Sequence, residues 1–368
     1  MGHKIFFRVA GGHKTGMGHI ERCLSLAEHL VNRRILNFED IAFVVNGNPV
    51  AIQKIRKRGF SVITLPNDLT GEMNIKVQKN IVRKFQPKVI VVDMPPFPER
   101  DTKFFESLRN TNGFVLSINS LNSGRFEADA IVEGGITHYP GMYGEMEKTK
   151  DFLLGPLYAI LNEVFADYHS KTRGTRDNVK NVLLSFGGSD PSNLTLKCLD
   201  ALLLMDFRNT FCVDIVIGAG YKAKTGIISV ADESDLNIQI HSDVLPRKMA
   251  ALMMEADIGI ITGGVTVYEA ASIGLPVIVI NTHPQDNARG GLSVTEFERR
   301  GYGINLAMPN TTGQEEIRNA ISKLFYDREL RAEFTKRGKE LVDGKGIMRV
   351  ANFIERVLEE EERKCWVE

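Results

Sequence analysis

Short apolar runs alternate with stretches of helical periodicity from one end of the chain to the other. In the first half, strands are predicted at Lys4–Val9, Ile41–Val45, Ser61–Leu65, Val89–Asp93, Phe114–Ile118 and Ala130–Val132. Apolar positions at helical spacing fall between most of them, as in Ile20–Asn32 and Asn74–Phe85. The strands are almost continuously apolar, which is the pattern of parallel strands covered on both faces by helices. The periodicity lapses between Gly134 and Gly155, and a polar run spans Ser170–Asn178. A second series then predicts strands at Val182–Phe186, Val213–Gly218, Leu236–Ile240, Asp257–Ile261, Pro276–Ile280 and near Ile304. The tail Ile347–Arg363 is amphipathic and reads as a packing helix, with the acidic run Glu359–Glu362 on its solvated face. The expected fold is α/β, with two doubly wound Rossmann-like domains facing a cleft. The expected division is residues 1–155, residues 156–345 and a C-terminal helix over 346–368.

A chain of 368 residues exceeds what a single core usually holds, which agrees with two domains. Basic and acidic residues balance at 46 each, so no global field favours nucleic acid or an anionic membrane. The segment Met1–Ala10 reads as a strand rather than a secretory leader, and no apolar run reaches the roughly 18–20 residues that span a bilayer. The four cysteines (Cys23, Cys198, Cys212 and Cys365) lack the short spacing of a zinc or redox motif. The expectation is a cytoplasmic monomer without stable membrane insertion, nucleic-acid partner, metal or cofactor.

Three glycine-containing loops follow predicted strands, where ligands of doubly wound sheets gather. The first, Gly11 to Arg22, lacks the Gly-Lys-Ser/Thr of a phosphate loop and does not fit a dinucleotide fingerprint. It carries Gly16 and Gly18 and brings His19 to a helix start, a position for a base that needs no metal. Arg22 lies one turn on, placed to hold His19, a phosphate or a surface ion-pair partner. The second loop, Ser185 to Asn193, offers Gly187, Gly188 and Ser189 as a phosphate-friendly nest, with Ser189 or Asp190 as helix cap. A plain capped turn is the alternative.

The third loop is the most distinctive. Gly263, Gly264, Val265 and Thr266 open a helix whose unpaired N–H groups form an anion seat. Glu269, a turn further in, is placed to accept hydrogen bonds from sugar hydroxyls. Beyond the next strand, Gln285 and Asn287 would orient substrate hydroxyls or cap a helix. Asp93, ending its strand, is a candidate hydroxyl ligand or secondary base, or a turn-forming residue.

Taken together, Gly16-x-Gly18-His19-x-x-Arg22, Ser185-Phe186-Gly187-Gly188-Ser189-Asp190-Pro191 and Thr262-Gly263-Gly264-Val265-Thr266-Val267-Tyr268-Glu269-Ala270 resemble the PseG/SpsG family. Gly155-Pro156-Leu157-Tyr158-Ala159 adds to the likeness. This family of nucleotide-sugar hydrolases is related to glycosyltransferases of the MurG type. The resemblance implies the GT-B fold, nucleotide bound chiefly by the C-terminal domain, and His19 as the group that activates water. The implied reaction is inverting, metal-independent release of UDP from an N-acetylated or deoxy sugar in nonulosonic (pseudaminic) acid or surface polysaccharide biosynthesis. Alternatives are transfer of the sugar to an acceptor, non-catalytic binding and, less prominently, epimerisation. The chain departs from the family at Val9-Ala10-Gly11, Met94, Asn119-Ser120 and Asn162, all in its first half, which leaves the sugar open.

Overall fold

The computed structural model describes residues 3–10, 17–66, 71–94, 101–109, 113–118, 126–205, 211–218, 220–281, 290–306 and 312–367. The chain forms two compact units, Met1–Glu163 with Lys345–Glu368, and Val164–Gly344. Each is built on a parallel sheet with helices packed against it, so the fold is a pair of Rossmann-like domains.

In the first unit, the strands are β1 (Ile5–Val9), β2 (Ile41–Asn46), β3 (Ser61–Leu65), β4 (Val89–Asp93), β5 (Phe114–Ile118), β6 (Ala130–Glu133) and β7 (Asp151–Leu154). Their order across the sheet is β3-β2-β1-β4-β5-β6-β7. Alternation along β1 divides the core. Ile5, Phe7 and Val9 pack with Ile20, Leu24 and Ala27 of α1 (Gly18–Asn32) and Ala51 and Ile55 of α2 (Pro49–Lys57). Phe6 turns the other way, into a cluster with Val82 of α3 (Gly71–Phe85) and Phe104 and Phe105 of α4 (Asp101–Arg109). The connection from β1 therefore leaves on one face and the helices beside β4 cover the other. The gap between β1 and β4 is the switch point at which such sheets bind ligands.

The strand β7 was not predicted. Only Phe152, Leu153 and Leu154 carry an apolar signal there, and the irregular segment before them obscures it. The sequence reading also set a boundary at residue 155, whereas contact density places the crossover at Glu163 and Val164. Gly134 and Gly346 explain the difference: a Cβ on either would lie within 2.8 Å of Ala159 backbone atoms, so this segment is packed into the first unit.

The second unit carries β8 (Asn181–Ser185), β9 (Cys212–Ile217), β10 (Asn237–Ser242), β11 (Ile258–Ile261), β12 (Val277–Val279) and β13 (Ile304–Asn305). Their order is β10-β9-β8-β11-β12-β13, so its switch point lies between β8 and β11. Those strands pair in parallel with Ser185 opposite Ile261. The helices are α5 (Val164–His169), α6 (Leu194–Leu203), α7 (Lys224–Glu233), α8 (Pro246–Glu255), α9 (Val265–Ile273), α10 (Gly290–Arg299), α11 (Gln314–Tyr326) and α12 (Arg328–Leu341). No helix of the described residues is long and apolar enough to cross a membrane.

The terminal helix α13 (Gly346–Val367) belongs to the first unit. Its Ile347, Val350, Ala351, Ile354, Val357 and Leu358 complete the core beneath α1. Ile354 is 1% exposed. Ile354→Ala is expected to cost about 2–5 kcal/mol by loss of buried methyl groups and a residual cavity. The chain's only tryptophan, Trp366, lies in α13. The unfolding midpoint followed by its fluorescence should fall in denaturant.

Candidate functional site

The first site begins with a strand register. Val9 of β1 lies opposite Asp93 of β4, so the last residue of β4 ends at the switch point of its sheet. The chain leaving β1 returns as α1, whose helical spacing buries Ile20, Cys23, Leu24 and Ala27 against the sheet. That anchoring fixes His19 and Arg22, one turn apart, above Asp93. His19 Nδ1 lies 2.6 Å from Asp93 Oδ1. Arg22 grips the same carboxylate with both arms of its fork, Nε donating to Oδ2 at 2.8 Å and Nη2 to Oδ1 at 2.7 Å. Cys23 Sγ adds a weak donor contact to Oδ2 at 3.5 Å.

The electrostatics follow from burial. The Asp93 side chain is fully buried, while His19 retains 22% exposure. Burial alone would raise the Asp93 carboxyl. The Arg22 charge and the hydrogen bonds from His19 and Arg22 outweigh it and hold the group down at about 2. The same surroundings push the Cys23 thiol upward, first through burial and then through the charge of Asp93, so this cysteine is a thiol and not a nucleophile. An ionised Asp93 can only accept, so Nδ1 of His19 is the donor of this bond, and in the neutral ring Nε2 then presents its lone pair. This arrangement can remove a proton from a group placed at Nε2. Asp93 therefore differs from the expected hydroxyl ligand: its carboxylate has no exposed surface, and its partners are His19, Arg22 and Cys23.

In the second unit, two of the predicted loops meet at the switch point between β8 and β11. Thr262 N donates to Ser185 O at 3.1 Å, and a Cβ on Gly187 would stand 3.8 Å from Thr262 Cγ2. Gly187 has φ +76° and Gly264 has φ +91°, conformations that side chains rarely adopt. In the first of these loops the cap is Asp190, not Ser189. Its carboxylate accepts from Leu194 N at 2.9 Å and from Thr195 N at 2.8 Å, and it is buried. Gly187, Gly188 and Ser189 stay exposed in front of it.

The helix α9 starts after Gly264, which has no side chain to cap it. Gly264 and Val265 are exposed at its mouth, and Thr266 and Glu269 are half-buried. From behind, α12 holds the helix closely: a Cβ on Gly338 would come within 2.9 Å of Ala271 O. Burial pushes the Glu269 carboxyl up to about 7. Gly16, Gln285 and Asn287 lie outside the described residues. Sequence reasoning missed Cys23, whose signal was its position one turn beyond His19, and Asn281, a polar residue closing an apolar strand.

Two Rossmann-like domains with switch-point loops of this kind define the GT-B class, and solved structures agree at the level of fold. MurG of Acinetobacter baumannii superimposes with a TM-score of 0.67 at 15% identity, over 96% of this chain and 99% of that one. The UDP-GlcNAc 2-epimerase of Neisseria meningitidis, bound to UDP-GlcNAc, gives 0.61 at 11% identity over 97% and 100%. No family model matches the chain. Among curated proteins, the uncharacterized protein MJ1062 of Methanocaldococcus jannaschii is 31% identical over 345 residues, covering 89% of this chain and 68% of that protein. The spore coat polysaccharide biosynthesis protein SpsG of Bacillus subtilis is 25% identical over 361 residues, covering 95% and 97%. The chain belongs to the SpsG/PseG-like family of GT-B proteins.

The Arg22–Asp93 pair yields a direct test. Removing one partner of a buried pair leaves the other charge uncompensated, so Arg22→Met is expected to cost about 3–5 kcal/mol at pH 7. Native Asp93, held at about 2, contributes stability that is lost only as pH falls through that value. In the variant the buried carboxyl is raised, and its burden disappears once it is protonated. The stability gap, measured by urea unfolding, should therefore shrink as pH falls from 7 towards 2.

Proposed function

We propose that this protein is a nucleotide-sugar hydrolase that releases UDP from a UDP-linked sugar, with water activated by His19. The observation that carries the reading is the His19–Asp93–Arg22 cluster, with Nδ1 of His19 tied to a buried carboxylate at 2.6 Å. A clamped Asp93 fixes ring direction and tautomer, so Nε2 is the base. It takes a proton from water as the oxygen bonds to the anomeric carbon. The bond between that carbon and the diphosphate oxygen breaks on the opposite face, and its electron pair leaves with UDP. The configuration inverts, and no metal is needed for this base.

The diphosphate seat of this reading is the start of α9. The uncapped start of α9 receives the diphosphate, whose charge grows as the bond breaks, and its N–H groups are already aligned for it. Gly187, Gly188 and Ser189 line the neighbouring loop, and Glu269 takes ribose hydroxyls. Support comes also from relatives: SpsG is named for spore coat polysaccharide biosynthesis, and the Staphylococcus aureus MnaA structure of the same fold holds UDP. The product sugar then belongs to surface polysaccharide or nonulosonic acid biosynthesis.

The test is UDP release from a panel of UDP-sugars with no acceptor present. The wild type should release UDP from at least one donor. His19→Ala should lower that rate by about 10²–10⁴-fold, the usual worth of a general base, while UDP affinity stays unchanged. UDP binding without release by the wild type would replace hydrolysis with transfer to an acceptor. An altered sugar still attached to UDP would replace it with epimerisation.

A further inference from the structure

Beside the start of α9 lies a buried polar side chain whose oxygen has no hydrogen-bond partner among the described residues. Asn281 follows β12, whose end is tied to β11 by Ile280 N donating to Ile261 O at 2.9 Å. The residue is 1% exposed, and its Oδ1 is buried without a hydrogen-bond partner among the described residues. Its place is fixed by Gly263: a Cβ there would stand 2.2 Å from Asn281 Oδ1 and 3.3 Å from Val294 Cγ2. The carboxamide thus fills the space that Gly263 leaves open, immediately before Gly264, the residue that precedes α9.

Leaving such an acceptor unpaired in the interior is unfavourable, and an aliphatic side chain would serve packing better. A bound ligand resolves the conflict. The two ends of a carboxamide have nearly the same shape, so a half-turn of the group exchanges Oδ1 for the Nδ2 donor without extra room. The surrounding donors decide which end is wanted. Backbone N–H groups and the positive end of the α9 dipole favour an anion at this mouth, and an anion calls for another donor.

We infer that Asn281 is the side-chain donor of the diphosphate seat, turning Nδ2 towards a phosphate oxygen when the nucleotide binds. This rests on the reading of α9 as the nucleotide site. It makes Asn281 a specificity residue for the diphosphate rather than for the nucleoside.

The experiment is calorimetric titration of the full chain with UDP and with uridine, for the wild type, Asn281→Leu and Asn281→Asp. Asn281→Leu should weaken UDP by about tenfold or more, as expected for a lost hydrogen bond to a charged group, and leave uridine unchanged. Its melting temperature without ligand should not fall, because an orphaned polar group is replaced by an apolar one. Asn281→Asp, of the same shape, should weaken UDP further than leucine at pH 8 and recover part of the loss at pH 6, where the new carboxyl is protonated more. Equal weakening of UDP and uridine, or wild-type UDP affinity in Asn281→Leu, overturns the assignment. Failure of the wild type to bind UDP overturns the nucleotide reading itself and removes this assignment with it.

Discussion

The candidate chemistry depends on one buried carboxylate. Asp93 ends β4 beside β1, without solvent, and stays ionised because Arg22 closes both its oxygens from the next turn of α1. A buried charge of this kind is tolerable only when paired with good geometry, and here the pairing has a directional consequence. The oxygen shared with Arg22 also receives Nδ1 of His19, so the ring cannot turn freely. The helix that delivers both side chains is itself anchored by its apolar face, and α13 from the far end of the chain supports that face. The position of His19 therefore follows from ordinary core packing.

The second unit solves a different problem with the same topology. Among the described residues, its switch point has no buried carboxylate clamped by arginine. It has two glycine loops brought together by adjacent strands, and a helix that starts after a glycine. A helix start of this kind turns its first backbone N–H groups towards any anion placed before it. Asp190 shows the contrast: where a helix start is structural, a side chain fills it, as it does for α6.

Much of this was legible in the sequence. The Val- and Ile-rich strands and the glycine loops after them were visible because a parallel sheet writes its burial directly as apolar runs. His19, Arg22, Gly264 and Glu269 could be nominated because each sits at a helix start next to such a loop. What was not legible were partners. His19 and Asp93 are 74 positions apart, and only the β1–β4 register brings them together. The sequence therefore offered Asp93 as a hydroxyl ligand, a secondary base or a turn-forming residue, whereas the structure buries it against His19, Arg22 and Cys23. Asn281 gave no more signal than a polar residue after an apolar run, since its meaning depends on the absent Cβ of Gly263. Ser189 and Asp190 were equal candidates for the cap until the left-handed turn at Asp190 showed which side chain points back.

The central claim is that Asp93 acts through His19 and not beside it. A double-mutant cycle on UDP release tests this most directly, using His19→Ala, Asp93→Asn and the double variant, each checked for native circular dichroism. If the account holds, Asp93→Asn lowers kcat with little change in KM, and adding it to His19→Ala costs nothing further, because its only route to the substrate is already gone. If the two losses multiply instead, Asp93 and His19 act independently and the orienting role assigned to this carboxylate is contradicted.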